Sequence, residues 1–379
     1  MAKVTLGEVA VECRESCRGD KSGLPAVGLE HLTPGQIRLS SWAVNTENTF
    51  TKLFRRDDML FGRRRAYLKK AAQAPFDGIC SGDITVIRAR PGKLLPELLP
   101  FIIQNDDLFD FAVGRSDGSL SPRVKWENLK NYTFELPPLT EQKKLAEVLW
   151  SISDTIQAYQ DLLTKTEELV KARFVEMLGD GMYPISLLIN LIKEGAGVSY
   201  GIVQPGDDGT GDMGVLRPVD IVDGKLSVKS IKYIDRAIGE GFKKTELTGD
   251  ELLITVRGTT GTTALTDDRF AGMNVTRGIA VIRYDRRKIN PVYLNAYFNT
   301  DKSQRYIQEH TKGATLQQIN LSDLRLQEIP VPPMAQQEKM SAFITQADQS
   351  KSALQRTITS LQETKRSLAA EALCMGRKE

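Results

Sequence analysis

The feature that most limits the fold of this chain is a repeat of half its length. PPLTEQKKL begins at residue 137 and PPMAQQEKM at residue 332, so the copies lie 195 residues apart in a chain of 379. The same spacing places residues 84–88 on residues 279–283. Upstream, with a three-residue shift, residues 58–60 fall on residues 250–252. A register kept over about sixty residues exceeds chance and indicates two copies of one unit.

Both halves repeat the same order of elements. A mixed, strand-rich segment comes first, followed by Pro-Pro and by a long run with helical periodicity. Proline cannot donate a helical hydrogen bond and biases its predecessor toward extended backbone, so Pro-Pro separates segment from helix. Thr140 is the expected N-cap of the first helix. The predicted α+β domains are residues 1–136 and 181–331, and the predicted long helices are residues 137–180 and 332–379.

Apolar residues in both predicted helices recur at steps of three and four, which places them on one stripe. About 38 residues at 1.5 Å each give a rod of roughly 57 Å. A single stripe would face water, so the two helices are predicted to bury each other as an antiparallel pair. The residues predicted for this coiled coil and for docking of other subunits are Leu145, Leu149, Ile152, Ile156, Leu163, Met340, Ile344, Leu354, Ile358 and Leu361.

Composition excludes several classes of protein. The chain is 41% hydrophobic and 26% charged, which is typical of a globular protein. No apolar run approaches the 18 or so residues of a membrane span. Four scattered cysteines fit reduced thiols in a cytoplasm, and with only two histidines they do not favour a zinc site.

Positive charge collects in the first half. Residues 55–70 contain seven basic and two acidic residues, a local charge of +5. Such a run is either a solvated surface or a contact with phosphate, and we favour phosphate. The candidate DNA-binding residues in this run are Arg63, Arg64, Arg65, Lys69 and Lys70.

The equivalent place in the second half is VRGTTGTT, residues 256–263. It lacks the Gly-Lys-Ser/Thr ending of a nucleotide P-loop, so ATP binding is not expected. Arg257, Thr259 and Thr260 are candidate DNA contacts because guanidinium groups, hydroxyls and backbone amides bind phosphates and base edges. A tight turn that only requires glycine is an equally good interpretation.

A second pair of polar loops, residues 114–126 and 311–321, precedes the two long helices. The loops align by the repeat but differ in content, as expected for two surfaces of one design that recognise different sequences. Their side chains carry the donors that base edges and phosphates require. The candidates are Arg115, Arg123, Lys125, Lys312, Thr315, Gln317 and Gln318.

These features together resemble the DNA-specificity (S) subunit of type I restriction–modification systems. The resemblance is carried by the two Pro-Pro segments, by GDELLITVRGTTG (residues 249–261), by SYGIVQPG (residues 199–206, with Tyr200 as a further candidate DNA contact) and by the tandem organisation. It implies two target recognition domains, separated by two long antiparallel coiled-coil helices with a pseudo-twofold internal repeat. Each domain would read one part of a split, asymmetric DNA site.

The resemblance also implies partners. Two modification subunits, which bind S-adenosylmethionine and methylate adenine, would dock on the helices, and motor–nuclease restriction subunits would join them. The chain itself would hold no cofactor or metal, contact no membrane, and act in the cytoplasm of a prokaryote.

Two alternatives stay open at this point. The chain could be a coiled-coil assembly protein whose domains bind proteins, or a methyltransferase or nuclease in its own right. The second alternative lacks a recognisable site, because Asn290-Pro291-Val292-Tyr293, which resembles the Asn-Pro-Pro-Tyr stretch of adenine methyltransferases, is better interpreted as a helix start with Pro in its first turn.

Overall fold

The computed structural model describes residues 1–44, 47–179, 183–209, 211–222, 224–313 and 316–373. The chain divides into two compact units. Unit 1 consists of Met1–Leu162 and Leu354–Glu379, and unit 2 of Leu163–Ala353. Each unit therefore contains one globular domain and a part of both long helices.

Unit 1 is built from short strands and few helices. Its strands are β1 (Ala2–Thr5), β2 (Ala10–Cys13), β3 (Ala26–Val27), β4 (Lys52–Phe54), β5 (Met59–Gly62), β6 (Ala71–Gln73), β7 (Gly78–Cys80), β8 (Ile84–Ala89), β9 (Ser116–Asp117), β10 (Arg123–Val124) and β11 (Thr133–Leu136). Its helices are α1 (Leu6–Val9), α2 (Leu99–Ile103), α3 (Asp106–Gly114), α4 (Trp126–Leu129) and the first part of α5 (Leu139–Leu178). Two 3₁₀ turns lie at Leu29–His31 and Ala66–Leu68.

A four-stranded antiparallel sheet in the order β2-β8-β5-β6 forms the centre of unit 1. Side chains on successive residues of a strand point to opposite faces. Met59 and Phe61 accordingly join the core that contains α2 and α3, while Leu60 joins a second core beneath the three-stranded sheet β3-β7-β4. Because both faces of the sheet are covered, β5 and β8 read as nearly continuous apolar runs.

Unit 2 repeats this construction. Its strands are β12 (Ile185–Leu187), β13 (Ser199–Tyr200), β14 (Met213–Leu216), β15 (Ile221–Val222), β16 (Lys225–Leu226), β17 (Lys232–Ile234), β18 (Leu252–Thr255), β19 (Thr263–Leu265), β20 (Asn274–Val275), β21 (Ile279–Ile282), β22 (Thr311–Lys312), β23 (Gln318–Ile319) and β24 (Glu328–Pro330). Its helices are α6 (Arg236–Gly239), α7 (Pro291–Phe298), α8 (Asp301–His310), α9 (Leu321–Arg325) and the first part of α10 (Met334–Ala372), and its 3₁₀ turns are Leu188–Leu191, Pro218–Asp220, Glu240–Thr245 and Asp268–Phe270.

The central sheet of unit 2 has the order β13-β21-β18-β19 and the same two covered faces. Leu252 and Ile254 enter one core, and Leu253 enters the other. The three-stranded sheets differ. In unit 1 the third strand, β4, pairs with β7, whereas in unit 2 the third strand, β17, pairs with β14, the equivalent of β3. The fold class is α+β with an internal repeat, as the sequence predicts.

The strand register corrects one detail of the repeat. Met59 lies opposite Ile87, and Leu252 opposite Ile282, so Met59 corresponds to Leu252, 193 residues later. The sequence comparison, with its shift of three residues, was therefore wrong by one position. Asp58 corresponds to Glu251, and the structure shows why.

Asp58 and Glu251 are buried carboxylates, 1% and 0% exposed, at the start of equivalent strands. Asp58 binds the Arg88 guanidinium through both oxygens, at 2.7 and 2.8 Å. Glu251 lies 3.5 Å from the Nε of Arg283, the counterpart of Arg88, and accepts hydrogen bonds from backbone amides of the preceding turn. A buried carboxylate requires such partners. The two units therefore share the carboxylate–arginine pair, although the carboxylate is Asp in one unit and Glu in the other.

The Pro-Pro segments recur because each precedes a buried glutamine. Gln142 and Gln337 are both 1% exposed. The Gln142 amide donates to the Pro137 oxygen and its Oε1 accepts from the Leu95 amide, and Gln337 makes the same two bonds to Pro332 and Asn290. Each glutamine therefore fastens the start of a long helix to its domain.

The N-cap predicted for the first long helix was wrong. Helix α5 begins at Leu139, so Thr140 already lies within its first turn. The amides of Glu141 and Gln142 donate to the Pro138 oxygen, which starts the helix without a side-chain cap from Thr140.

The long helices are 40 and 39 residues in length. In unit 1 the core contains Leu149 from α5 and Leu373 from just beyond α10, and in unit 2 it contains Phe174 from α5 and Met340 from α10. Opposite ends of the two helices thus meet in each unit, as the antiparallel prediction requires. Of the ten predicted stripe residues, Leu149, Ile156, Met340, Ile344 and Ile358 are buried and Leu145, Ile152, Leu163, Leu354 and Leu361 are half-buried.

None of the helices in the described part of the chain combines the length and the apolar character that a membrane span needs. The domain boundaries given by the sequence analysis stay a prediction.

Candidate nucleic-acid interface

Backbone hydrogen bonds join the basic run and the polar loop of unit 1. The loop forms the hairpin β9–β10. Its Val124 amide donates to the Arg63 oxygen at 2.9 Å, and the Arg65 amide donates to the Pro122 oxygen at 2.8 Å. Arg64 and Arg123 are therefore directly opposed in an antiparallel β-bridge. Side chains of directly opposed residues lie on the same face of the paired strands.

Asp83 lies between these two guanidinium groups. Its Oδ1 accepts from Arg123 Nε at 2.8 Å and its Oδ2 from Arg64 Nη1 at 3.4 Å, while Arg64 Nε donates to Ser121 Oγ at 2.6 Å. Burial alone would raise the pKa of the Asp83 carboxyl, but the hydrogen bonds and charges of Arg123 and Arg64 outweigh it and lower the pKa. We call Arg64, Asp83 and Arg123 the Arg–Asp–Arg cluster. Asp83 was missed by the sequence analysis.

The other predicted DNA-binding residues of unit 1 are mostly engaged with the protein. Lys69 forms an ion pair with Asp106, and Lys70 Nζ donates to the Leu29 oxygen. Lys125 pairs with Asp117 at 3.3 Å. The Arg115 guanidinium lies over the Phe111 ring at 5.6 Å. Within the basic run, Arg55, Arg64 and Lys69 are thus paired with carboxylates from elsewhere in the chain, so its charge is compensated in part.

Two arginines of the run differ from this pattern. Arg65 is exposed, has a left-handed backbone (φ +54°), and forms no ion pair with any described residue. Arg63 points inward, and its buried Nε has no hydrogen-bond partner among the described residues. Arg65 is therefore the more accessible cation of the two.

In unit 2 the same backbone attachment holds the hairpin β22–β23 against the Gly/Thr loop. The Ile319 amide donates to the Val256 oxygen at 3.0 Å, and the Gly258 amide to the Gln317 oxygen at 2.9 Å. Arg257 and Gln318 are bridge partners, as Arg64 and Arg123 are in unit 1. Gln317, Gln318 and Lys312 are exposed, whereas Thr315 lies outside the described residues.

The Gly/Thr loop is a tight turn. Gly258 and Gly261 have φ of +84° and +89°, which favours glycine. The amides of Gly261 and Thr262 donate to the oxygen and the hydroxyl of Thr255, so they are not free to hold a phosphate. Thr260 Oγ1 hydrogen-bonds Thr311 Oγ1, and Thr259 is exposed.

A cleft of about 980 Å³ opens beside this loop in unit 2. Tyr200, Arg257 and Gln318 line it, so the structure brings three of the predicted residues together. Of the described residues that line it, five are basic and one, Glu240, is acidic. The basic residues are Lys243, Lys244, Arg257, Arg277 and Arg325. Such a concentration of positive charge in a concave surface attracts polyanions.

The sequence analysis missed Lys243, Lys244, Arg277 and Arg325. The repeat gives no signal for Arg277, because the equivalent position in unit 1 is Gly82. Lys243 and Lys244 precede β18 by several residues and reach the cleft only through the tertiary fold. The adjacent pair of lysines was the one available signal.

Motifs that suggested chemistry have structural roles. Asn290 caps α7 by accepting from the amides of Val292 and Tyr293, and the buried Tyr293 hydroxyl donates to the Pro330 oxygen. The predicted helix start is therefore confirmed. Within the described residues, no group of three or more His, Cys, Asp or Glu side chains is placed to bind a metal ion. Burial raises the pKa of the Cys80 thiol to about 12.

Comparison with known protein families identifies both halves of the chain. The family model for the type I restriction modification DNA specificity domain matches residues 20–168 and 211–363. The chain belongs to this family. Each match covers most of one globular domain and part of the following long helix, so the DNA specificity domain occurs twice in this chain.

The curated relatives that the chain resembles are also specificity subunits of type I restriction enzymes. The EcoBI specificity subunit of a type I restriction enzyme from Escherichia coli is 23% identical over 246 residues, which are 58% of this chain and 52% of that protein. The EcoDI specificity subunit from the same organism is 26% identical over 148 residues, 36% of this chain and 33% of that protein. The putative MjaX specificity subunit of Methanocaldococcus jannaschii is 21% identical over 376 residues, 87% and 81% of the two chains. The chain thus spans about half or less of the length of the two Escherichia coli relatives.

Two solved structures share the fold. The S subunit of a type I restriction-modification system from M. genitalium has a TM-score of 0.58 at 12% identity and covers 98% of this chain and 96% of its own. A chain from a structure of complex assembly and conformational transition of the type I R-M system has a TM-score of 0.57 at 20% identity, with 98% and 97% coverage. At these identities the likeness establishes the fold alone.

Proposed function

We propose that this chain is the sequence-specific DNA-binding subunit of a type I restriction–modification complex and performs no chemistry itself. Membership of the DNA specificity family supports the proposal. Each domain would bind one part of a bipartite, asymmetric DNA target. The positive cleft of unit 2 and the hairpin of unit 1 are the surfaces that fit this role.

The observation that carries the proposal is the pair of hairpins. In both units, main-chain hydrogen bonds attach a two-stranded hairpin to the segment that follows a central strand. The side chains at this junction are Arg64 and Arg123 in unit 1, and Arg257 and Gln318 in unit 2. One backbone frame that presents different hydrogen-bonding groups suits the recognition of two different half-sites.

Partners belong to the same proposal. Double-stranded DNA would bind the domains, and two modification subunits, with S-adenosylmethionine as their cofactor, would dock on the long helices. Motor–nuclease restriction subunits would complete the assembly. Helix α5 supports docking because it exposes apolar side chains away from the two cores, at Val148, Leu162, Leu169 and Val175. The chain would act in the cytoplasm of a prokaryote.

Binding of the full chain to random-sequence duplex DNA tests the proposal. We expect selection to enrich one bipartite sequence and the affinity to fall steeply with salt, because basic residues displace counterions from phosphates. Failure to enrich any sequence would remove the proposal and favour a coiled-coil assembly protein. Transfer of labelled methyl groups from S-adenosylmethionine to DNA by the chain alone would instead support the enzyme alternative.

The role of the helices has a separate test. Inserting one turn of four residues near Thr164 lengthens α5 by roughly 6 Å. If the helices set the gap between half-sites, the selected sequence should have a changed gap and unchanged half-sites. An unchanged gap would show that the helices do not set it.

A further inference from the structure

The hairpin position shared by Arg123 and Gln318 is a candidate for the residue that selects a base. The two residues lie 195 positions apart and occupy the same place, each bridged to the residue after a central strand, Arg64 or Arg257. Both side chains are solvent-accessible. Arginine and glutamine are also the two side chains whose paired hydrogen bonds distinguish guanine from adenine in the major groove.

In unit 1, Asp83 determines which nitrogens of Arg123 remain available. The Asp83 carboxylate accepts a hydrogen bond from Arg123 Nε at 2.8 Å. Neither terminal nitrogen of Arg123 hydrogen-bonds a described residue, and the pair of N–H groups at the end of the guanidinium points away from Nε, so this pair can donate to DNA. Two parallel donors at the end of a fixed guanidinium match the N7 and O6 acceptors of guanine.

Arg64 is held differently. Its Nε donates to Ser121, and its bond to Asp83 is longer, at 3.4 Å. Arg123 is therefore the arginine of this cluster that the carboxylate orients best, and Asp83 acts on it as a positioning residue.

In unit 2 both the carboxylate and the arginine of this pair are replaced. The counterpart of Asp83 is Gly278, and a Cβ there would lie 2.6 Å from the Cγ of Pro218, so the fold leaves no room for a carboxylate. The counterpart of Arg123 is Gln318, whose exposed amide lines the cleft. An amide offers one donor and one acceptor, which match N7 and N6 of adenine.

We propose that this hairpin position is the specificity-determining position of each unit: Arg123, oriented by Asp83, reads guanine in the half-site of unit 1, and Gln318 reads adenine in the half-site of unit 2. The inference rests on the proposed DNA-binding function.

Reciprocal exchange tests it. Selection from a random duplex library is run with the full chain as wild type, as Arg123→Gln and as Gln318→Arg. We expect Arg123→Gln to lose one guanine from the first half-site and Gln318→Arg to replace one adenine by guanine in the second. The preference for the original base should fall by roughly 5- to 150-fold at that position alone.

The matched control is Arg269→Gln, which changes an exposed arginine that is also paired with an aspartate but lies away from the hairpin. The sequence that this variant selects should equal that of the wild type.

Asp83→Asn tests the positioning role by atomic substitution in the DNA. Replacing the selected guanine by 7-deazaguanine removes the N7 acceptor, which should weaken the wild type severalfold and weaken Asp83→Asn and Arg123→Gln much less. The salt dependence of Asp83→Asn should not become shallower, because no cation is lost.

The outcomes are distinct. If the wild type enriches no sequence, the proposed function itself fails. If it enriches a sequence that none of the exchanges at positions 123 and 318 alters, the function stands and this inference is wrong. If Asp83→Asn responds to 7-deazaguanine as the wild type does while Arg123→Gln responds less, Asp83 is only a structural residue. If all three proteins respond equally, Arg123 does not read N7 and this inference is wrong.

Discussion

Unit 1 and unit 2 agree in the contacts that hold them together and differ in the contacts they present. Both have a buried carboxylate on the arginine of the central strand, and both have a buried glutamine at the start of the long helix. At the hairpin junction, however, unit 1 has an arginine pair closed by Asp83, while in unit 2 no carboxylate of the described residues pairs with Arg257 beside Gln318. The duplicated chain has kept its folding contacts and changed its surface.

The two units also differ in how many of their basic side chains are paired with carboxylates. In unit 1, Arg64 and Lys69 of the basic run are paired with Asp83 and Asp106, and Lys125 of the hairpin is paired with Asp117. In unit 2, Glu240 is the acidic residue among the described residues that line the cleft with the basic side chains. We therefore expect the two units to contribute differently to DNA binding: unit 2 more through charge, and unit 1 more through oriented hydrogen bonds.

The largest expected effect concerns the shared buried carboxylates. Glu251→Ala and Asp58→Ala should each destabilise their own unit by about 3–5 kcal/mol, because each leaves buried partners unpaired. Glu251→Ala should have the larger effect, since it also leaves several backbone amides without an acceptor. Amide hydrogen exchange in β8 and β21 measures the loss in each unit. Exposed Glu309→Ala is the control, and a larger effect at Asp58 would contradict the ranking.

The buried glutamines give the next largest effect. Gln142→Ala and Gln337→Ala should each destabilise the chain by about 1–3 kcal/mol, because the amides of Leu95 and Asn290 lose their acceptors. Gln142 also donates to the Lys93 oxygen, so its replacement should be the more severe. Urea unfolding followed by circular dichroism reports both values. Glu338→Ala, a change of the exposed residue that follows Gln337 in α10, should leave the transition in place.

An ion pair found in unit 2 gives a pH-dependent difference. Burial would raise the pKa of the Asp250 carboxyl, but bonds from Arg286, Tyr284 and Lys193 lower that pKa to about 2. Because the folded pKa is depressed, the stabilisation is present above about pH 4 and is lost as the pH falls toward 2. Asp250→Asn should therefore weaken unit 2 by about 1–2 kcal/mol at neutral pH and by only a small part of that near pH 2, after allowance for solvent screening.

The counterpart of Asp250 in unit 1 supplies the control for this measurement. Asp57 is exposed and has a left-handed backbone, φ +69°. Asp57→Asn should leave the stability of unit 1 close to that of the wild type, because the Asp57 side chain forms no ion pair with a described residue. A loss of stability from Asp250→Asn that persists at pH 2 would show that the carboxylate charge is not its cause.

The smallest expected effect is in the salt dependence of DNA binding. Arg257→Ala should lower the slope of log affinity against log salt by about 1, the value for one lost phosphate contact. Arg64→Ala should lower it by less than half of that, because Arg64 already hydrogen-bonds Ser121 and Asp83. Filter binding of one duplex over a salt series gives both slopes. Equal slopes would mean that Asp83 does not compensate Arg64, and the distinction between the units would fail.

The sequence predicted those features that depend on local pattern. Apolar periodicity and the Pro-Pro segments predicted two long helices, and α5 and α10 are those helices. The repeat aligned residues 84–88 with residues 279–283, and the equivalent strands β8 and β21 begin at these two positions. The one-residue error at Asp250 arose because adjacent acidic residues align equally well as letters, and only burial distinguishes Glu251 from its neighbour.

The candidate site was harder to predict because its charges cancel over long sequence separations. Lys69 and Asp106 are 37 residues apart, and Arg123 and Asp83 are 40 residues apart. A count of charges within one run cannot contain such partners. The cleft of unit 2 is likewise assembled from several separate segments, which only the tertiary fold brings together. The DNA-binding roles assigned to individual residues stay predictions.

The attachment of each hairpin through main-chain atoms has a consequence for how such a chain changes over time. Amide and carbonyl groups are the same whatever residue carries them, so substitutions at positions 64, 123, 257 and 318 leave the joint intact. Single substitutions at these positions can therefore change which base is preferred while the main-chain bonds that hold the hairpin are kept. Mutation of only four codons could therefore change the selectivity that we propose for this molecule.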